Sequence, residues 1–400
     1  MLRPIIKDLL LDQHKYFKSD PSNIAREIEK EIQIDLPFAV ILTGVRRSGK
    51  STILKQLISK KSGNKIGYVH FDDPRFIEFT VNDFYTIEKI WPKVNQFQFD
   101  EIQNIDHWEK YIRQGLERKL HFAITGSNAK LLSKELGTLL TGRHISHEVF
   151  PFSYREFCSY KKLTTSEISF KAYMAIGGFP EFIAHETKKY HQELFKDIVY
   201  RDIAVRNGIR NVQELTIIAL HLINNMARPF TFNKLAKNYE IKSVNTVTNF
   251  VRFLEDSYLL FPVQRFDFSY KKQQVNEKKI YVIDHVLALQ NSTQMHEDYG
   301  RILENMVFLE IRRKTKSVWY FKNKGETDFI YQWKGTYHAV QVCWELSAEN
   351  NKREINGLKE AMESIELSSS TIVTANQEDD ILILDKTIKC VPFWKWEFPE

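Results

Sequence analysis

The sequence predicts a multidomain α/β protein that opens with a parallel-sheet core, continues through a mostly helical region and closes with a second α/β domain. Three observations carry that prediction. Residues Phe38 to Ile58, FAVILTGVRRSGKSTILKQLI, pass from a short, partly β-branched apolar run into a stretch with helical spacing of apolar residues. Apolar runs then alternate with helical stretches up to about residue 150, the order of a parallel sheet. From about Lys271, strands and helices return after the helical interval. The expected divisions are therefore 1–150, 151–270 and 271–400.

The turn between the first strand and helix reads Gly44-Val45-Arg46-Arg47-Ser48-Gly49-Lys50-Ser51, a match to GxxxxGK[ST] in the required setting and hence a phosphate-binding loop. Gly44 and Gly49 permit backbone conformations closed to residues with side chains, so successive N–H groups converge on phosphate oxygens. Lys50 adds a point charge at the β- and γ-phosphates, and the Ser51 hydroxyl reaches Mg²⁺. The start of the helix, continuing through Thr52, favours the anion. ATP with Mg²⁺ is the expected ligand pair, bound by Gly44 to Thr52.

Four hundred residues suffice for two to three domains with sizeable cores. An apolar content of 43% and a charged content of 27% are those of an ordinary soluble globular chain. No stretch is long and apolar enough to span a membrane, and the N-terminal MLRPIIKDLLLDQHKYF lacks the apolar core and cleavage site of a signal peptide. Cys158, Cys343 and Cys390 have neither disulfide-framework nor zinc spacing, which suits a reducing cytoplasm. The net charge of +6 tilts weakly toward an anionic partner such as nucleic acid.

Beyond the loop, Lys65 to Phe71 reads as a second strand, Gln96 to Phe99 as a third leading into Asp100-Glu101, and His121 to Thr125 as a fourth leading into Gly126-Ser127-Asn128. A parallel sheet places its ligand at the carboxyl ends of its strands, where the phosphate loop and Asp100-Glu101 both fall. Asp100 then holds the Mg²⁺ shell through water and Glu101 polarises the attacking water. The alternative is an acidic pair on a solvated loop. The third strand, with Gln96 and Gln98, is more polar than a buried central strand should be.

The stretches GVRRSGKST, FDEIQNIDHWEKYIRQ, ITGSNAKLLSKELGTLLTGRH and VFPFSYREF, followed by GGFPEF, YRDIAVR, KKIYVIDHVLA, GRILENMVFLEIRR and GETDFIYQW, together resemble the prokaryotic AAA-type ATPases grouped with the archaeal ATPases. The resemblance covers almost the whole chain. It implies an AAA-type P-loop core, a helical lid and a C-terminal domain of unknown function. It also implies that Ser127 or Asn128 senses the γ-phosphate. By the same resemblance Arg143 sits where such ATPases often place an arginine finger, donated across a homo-oligomer interface; the other reading of Arg143 is a salt-bridged surface residue.

Within 151–270, the pair Arg201 and Asp202 either reaches the nucleotide from a lid or ties helices together. Leu215, Ile218, Leu222 and Met226 share one helix face, a short helix covers Phe232 to Tyr239, and a longer one starts at Ser243 with Val244, Val247, Val251 and Leu254 inside. With the β-like stretch Tyr258 to Phe268 this order describes a winged helix, whose third helix would offer Lys242, Asn245, Thr246, Asn249 and Arg252 to a DNA groove. Such modules also serve as spacers or bind proteins.

The third domain has a helix Tyr299 to Arg313, strands Val318 to Phe321, Thr327 to Trp333 and Tyr337 to Leu346, a helix near Glu349 to Ser364, and strands Thr371 to Thr374 and Ile381 to Leu384. That order resembles a restriction-endonuclease-like core, whose chemistry needs carboxylates on neighbouring strands to hold Mg²⁺ and a lysine to orient water. Glu304 and Asp328 supply two acids, but Gln341 and Cys343 stand where an acid and the lysine belong. Lys334, Lys352, Glu326 and Glu345 are candidate replacements, and the assumed register points the two acids away from Asp328. The basic residues from Arg312 to Lys324, with Trp319, Tyr320 and Trp333 among them, form either a nucleic-acid face or a solvated edge. Two functional classes follow: an ATP hydrolase acting on a nucleic-acid or protein partner, or a slow nucleotide-dependent switch. An ATP-regulated nuclease is a third alternative.

Overall fold

A computed structural model describes residues 1–18, 24–59, 66–126, 140, 142–292, 298–383 and 386–399. The chain forms two compact units, Met1–Pro151 and Phe152–Glu400. In the first, strands β1 (Ala39–Thr43), β2 (Ile66–His70), β3 (Gln96–Asp100), β4 (His121–Gly126) and β5 (His144–Glu148) form a sheet of order β2-β3-β4-β1-β5. Every neighbouring pair in it is parallel. Both faces of the sheet are covered, and β1, AVILT, is a nearly continuous apolar run buried throughout. On one face Phe97, Phe99, Phe122 and Tyr111 pack with Phe84 and Trp108; on the other Val40, Leu42, Ile53 and Leu57 meet Tyr68 and Ala123.

Helix α1 (Arg3–Lys18) lies against β2, α2 (Lys50–Ser59) follows β1, and α3 (Phe84–Ile90) and α4 (Trp108–Glu117) frame β3. The polarity of β3 does not expose it. Gln96 and Gln98 are both buried, and Gln98 lies in register between Tyr68 and Ala123. Strand β5 escapes prediction because HISHE is a half-buried edge strand with little apolar pattern.

In the second unit, helices α5 (Tyr154–Lys161), α6 (Glu167–Ile176), α7 (Pro180–His185) and α8 (Tyr190–Asp197) precede a π-helical segment, Ile198–Val205. Then come α9 (Val212–Asn224), β6 (Pro229–Phe230), α10 (Phe232–Asn238), α11 (Val244–Asp256), β7 (Leu260–Arg265), α12 (Tyr270–Val275), β8 (Lys278–Val282) and α13 (His285–Gln290). Leu215, Ile218, Leu222, Val247, Val251 and Leu254 are buried as expected, but Val244 is exposed and Phe250 takes the inner place. Val244 is the first residue of α11, ahead of the turn that packs, so its side chain has no core to enter.

The chain closes with α14 (Tyr299–Lys314), β9 (Val318–Lys322), β10 (Glu326–Trp333), β11 (Thr336–Val342), α15 (Asn351–Ser364), β12 (Ser369–Thr374), β13 (Asp379–Ile383) and β14 (Lys386–Pro392). Leu384 lies outside the described residues. Among those described, nine strands form one sheet of order β13-β14-β12-β11-β10-β9-β7-β8-β6. Pairing of β7 with β9, through Gln264 with Trp319 and Arg265 with Tyr320, carries the sheet across the division expected at residue 270. Backbones meet closely where α15 crosses β10: a Cβ on Gly357 would lie 2.2 Å from the Glu326 carbonyl oxygen.

Candidate nucleotide-binding site

The loop between β1 and α2 has the conformation its glycines predict. Gly44 has φ +150° and a Cβ there would fall 2.1 Å from the Val149 carbonyl oxygen, while Gly49 has φ +97°. A side chain at Gly44 would run into backbone, and one at Gly49 would be strained by the positive φ. Val45 and Ser48 are buried, Arg46 is half-buried and Arg47, with φ +64°, is exposed. The Lys50 ammonium donates to the Gly44 and Val45 carbonyls at 3.0 Å each, so its charge is held over the loop. Lys50, Ser51 and Thr52 form the first turn of α2, presenting its N-terminus to the same space.

Asp100, at the carboxyl end of β3, is fully buried. Its carboxylate accepts from Tyr68 Oη at 2.9 Å and from Thr125 Oγ1, lies 3.3 Å from His70 Nδ1, and is bonded by the Ser51 side chain. Burial works to raise its pKa, but His70, Thr125 and Ser51 hold it down at about 2. Its carboxylate in turn raises the pKa of His70 against the effect of burial. An ionised, oriented carboxylate beside the Ser51 hydroxyl is a donor set that suits a hard cation such as Mg²⁺.

Glu101 adopts a left-handed conformation, φ 54° and ψ 44°. Its backbone N–H donates to Thr125 Oγ1 at 2.9 Å, and Gln103 Nε2 donates to its side chain. Thr125 therefore joins the two acids through one hydroxyl, accepting from Glu101 and donating to Asp100. Sequence reasoning overlooked Thr125 and Tyr68. Their positions beside Asp100 follow from strand register and carry no local signature.

Ser127 and Asn128 lie outside the described residues. Arg143 precedes β5, whose His144 pairs with Ala39 at the start of β1. It therefore sits at the amino edge of the sheet, a strand length of about 13 Å from the phosphate loop. There its guanidinium pairs with Glu117 at 2.9 Å. In the second unit Asp202 is buried and lies 3.7 Å from Arg206.

A second cluster occupies the nine-stranded sheet. Lys279 on β8, 3% exposed, places its ammonium 3.1 Å from Glu304, 2.8 Å from Glu326 and 2.9 Å from Asp328. The lysine missing from β11 thus has a counterpart on a strand that sequence spacing did not associate with the acids. Glu326 reaches the same ammonium as Asp328, which corrects the register assumed from the sequence; residues two apart share a face. Gln341 accepts from the Asp328 N–H at 3.1 Å and donates to Glu354 at 2.6 Å, so it works as a bridge within the cluster. Burial raises the Cys343 pKa to about 11, leaving a neutral thiol. A cavity of about 750 Å³ opens beside these residues. Among the described residues no group of three His, Cys, Asp or Glu side chains is placed to hold a metal ion.

Burial and the nearby Asp328 push the Glu304 pKa up to about 7, although Tyr281 and Lys279 both donate to it. An acid whose folded pKa is raised keeps its proton where the unfolded chain has lost it. Stability is therefore highest below the unfolded value near about 4.3, falls as pH rises to about 7 and then levels. Denaturation of wild type and Glu304→Gln between pH 4.5 and 7.5 should show wild type losing about 3 kcal/mol relative to the variant. Parallel pH profiles would contradict this protonation state.

Comparison with known proteins places the first site in context. Residues 37–158 match the model of the AAA domain, and residues 167–295 and 299–396 match two domains of unknown function, DUF8612 and DUF4143. The chain therefore carries a nucleotide-binding AAA-type ATPase domain. Among solved structures, it has a distant likeness to AMPPCP-bound DnaA of Aquifex aeolicus, at 13% identity and a TM-score of 0.30 over 62% of this chain and 88% of that one. A similar likeness links it to the ADP form of the ORC2 protein of Aeropyrum pernix, at 12% identity and a TM-score of 0.35 over 73% and 98%. An uncharacterized protein of Haemophilus influenzae is 28% identical over 83% of this chain and 89% of its own. The uncharacterized protein MJ1544 of Methanocaldococcus jannaschii is 33% identical over 98% of this chain and 95% of its own length. The chain, with its AAA domain, belongs to the family of MJ1544.

Proposed function

We propose that the protein is a Mg²⁺-dependent ATPase that couples hydrolysis to a conformational change exerted on a nucleic-acid or protein partner. The observation that supports this most is the Thr125 junction, which ties Asp100 to Glu101 while Ser51 reaches Asp100. Lys50 and the N–H groups from Gly44 to Thr52 would bind the phosphates, Ser51 would hold the cation, and Asp100 would hold its shell through water. When bound there, Mg²⁺ would supply charge neutralisation to the phosphate oxygens. Glu101 orients a water whose oxygen attacks the γ-phosphorus as the bond to the β–γ bridging oxygen breaks, releasing ADP and phosphate. Gln103 holds the Glu101 carboxylate for that task. Ser127 or Asn128 keeps the role of γ-phosphate sensor in this proposal.

Arg143 belongs to the amino edge of its own sheet, so in this reading it serves a neighbouring subunit of a homo-oligomer. Its pair with Glu117 is half-exposed on both sides and stabilises by only about 0–1 kcal/mol, which a phosphate readily outcompetes. For the partner, exposed Lys242, Asn245, Asn249 and Arg252, with half-buried Thr246, give α11 and the residues just before it a polar, basic face suited to a duplex groove. Glu101→Gln should bind ATP as wild type does and turn it over about 10²- to 10⁴-fold more slowly. Equal steady-state turnover by the two proteins would remove Glu101 from the mechanism.

A second reading concerns residues 271–400. We infer that this restriction-endonuclease-like region does not cut nucleic acid, because Lys279 spends its three donors on Glu304, Glu326 and Asp328. An internal ammonium stands among the acids that a divalent cation would need. Single- and double-stranded DNA and RNA should remain intact with protein, ATP and Mg²⁺ or Mn²⁺. Cleavage that disappears in Asp328→Ala would overturn the inference.

A further inference from the structure

Arg26 lies 18 residues before the phosphate loop, in a stretch with no motif, and is 5% exposed. Its guanidinium donates to two main-chain carbonyls: Ser48, inside the loop, from Nη1 at 2.9 Å, and Phe150, after β5, from Nη2 at 2.7 Å. A Cβ on Gly49 would stand 3.0 Å from Nη1, so the planar group is packed against the loop itself. The Arg26 main chain is anchored in turn, its N–H donating to Glu29 Oε1 at 2.6 Å as the chain enters the 3₁₀ turn Glu27–Lys30. Gln56, on α2, donates to the carbonyl of Ile24 and fixes the same stretch from the other side.

A phosphate loop directs its N–H groups toward the anion, which turns carbonyls the other way, into the protein, where they need donors. Arg26 supplies one at Ser48 with a charge-assisted bond, the stronger kind. The opposite end of the loop is docked on the same segment after β5. Gly44 packs on the Val149 carbonyl, and the Val149 N–H donates to Thr43 O at 2.7 Å. Thr43 and Gly44 thus rest directly on Val149, while Ser48 and Gly49 are tied to Phe150 through one buried guanidinium.

We propose that Arg26 is a positioning residue for nucleotide binding: it fixes the loop in its phosphate-binding conformation and links it to the segment that leads into the second unit at Phe152. It acts through the Ser48 and Phe150 carbonyls and does not itself touch the nucleotide. The inference rests on the reading of Gly44 to Thr52 as an ATP site.

Titration of ATP with Mg²⁺ into the full chain tests it, with Arg26→Ala, Arg26→Lys and Gln56→Ala compared to wild type. Arg26→Ala should weaken ATP binding by about tenfold or more. Arg26→Lys keeps the charge but cannot reach both carbonyls with a planar fork, so it should lie between. Gln56→Ala loosens the same stretch at Ile24 and leaves the guanidinium contacts alone, so its affinity should match wild type. Wild-type affinity in Arg26→Ala, or equal losses in Arg26→Ala and Gln56→Ala, would overturn the positioning role. If Arg26→Ala does not fold, wild-type affinity in Arg26→Lys overturns it. No binding by wild type would overturn the ATP-site reading and this inference with it.

Discussion

The first unit depends on one buried charge. Asp100 is removed from water at the end of a central strand, and an isolated carboxylate there would be prohibitively costly. Donors from every side make it tolerable: Tyr68 and His70 from β2, Thr125 from β4 and Ser51 from the start of α2. That arrangement requires β2, β3 and β4 to end level with one another and α2 to start beside them. The strand register and the position of the phosphate loop are therefore parts of one constraint. The Thr125 hydroxyl extends it to Glu101, so a change at the Asp100 carboxylate is one hydrogen bond away from the Glu101 backbone.

The second unit solves a related problem with the opposite sign. Lys279 is buried among three acids and keeps its charge, because Asp328, Glu304 and Glu326 outweigh the effect of burial. Removing one partner of such a buried network generally costs about 3–5 kcal/mol, since the others are left uncompensated. The cluster fastens β8 to α14 and β10 with directional bonds inside the sheet. It also explains why Gln341 suits β11: a carboxylate there would add negative charge beside Asp328 and Glu354, whereas the amide accepts from the Asp328 N–H and donates to Glu354.

What the sequence made legible is what is local. The phosphate loop is eight consecutive residues whose identities report their own conformation, and Gly44 and Gly49 show the positive φ that their spacing implies. Asp100-Glu101 was found because it follows a strand in a chain that already carries a phosphate loop, and most helices and strands lie within a few residues of their expected bounds. Residues that act by tertiary placement were not legible. Arg26, Thr125 and Lys279 are far in sequence from what they touch, and none sits in a pattern that distinguishes it from a surface or core residue. Glu326 was assigned the wrong face, in a strand whose pairing with β9 shifts register between Thr327 and Ile330. Strand β14 was missed because Lys386 and Lys389 interrupt its apolar run, although Ile388, Cys390 and Val391 are buried.

Every proposed role in the first unit requires the β1–α2 loop to hold a nucleotide. Calorimetric titration of ATP into the purified chain, with Mg²⁺ and with EDTA in its place, is the most direct measurement. The proposed mechanism predicts one site per chain, tighter with Mg²⁺ if Ser51 and Asp100 hold the cation beside the phosphates, and no detectable heat in Lys50→Ala. Equal binding by wild type and Lys50→Ala, or none by wild type, would contradict it.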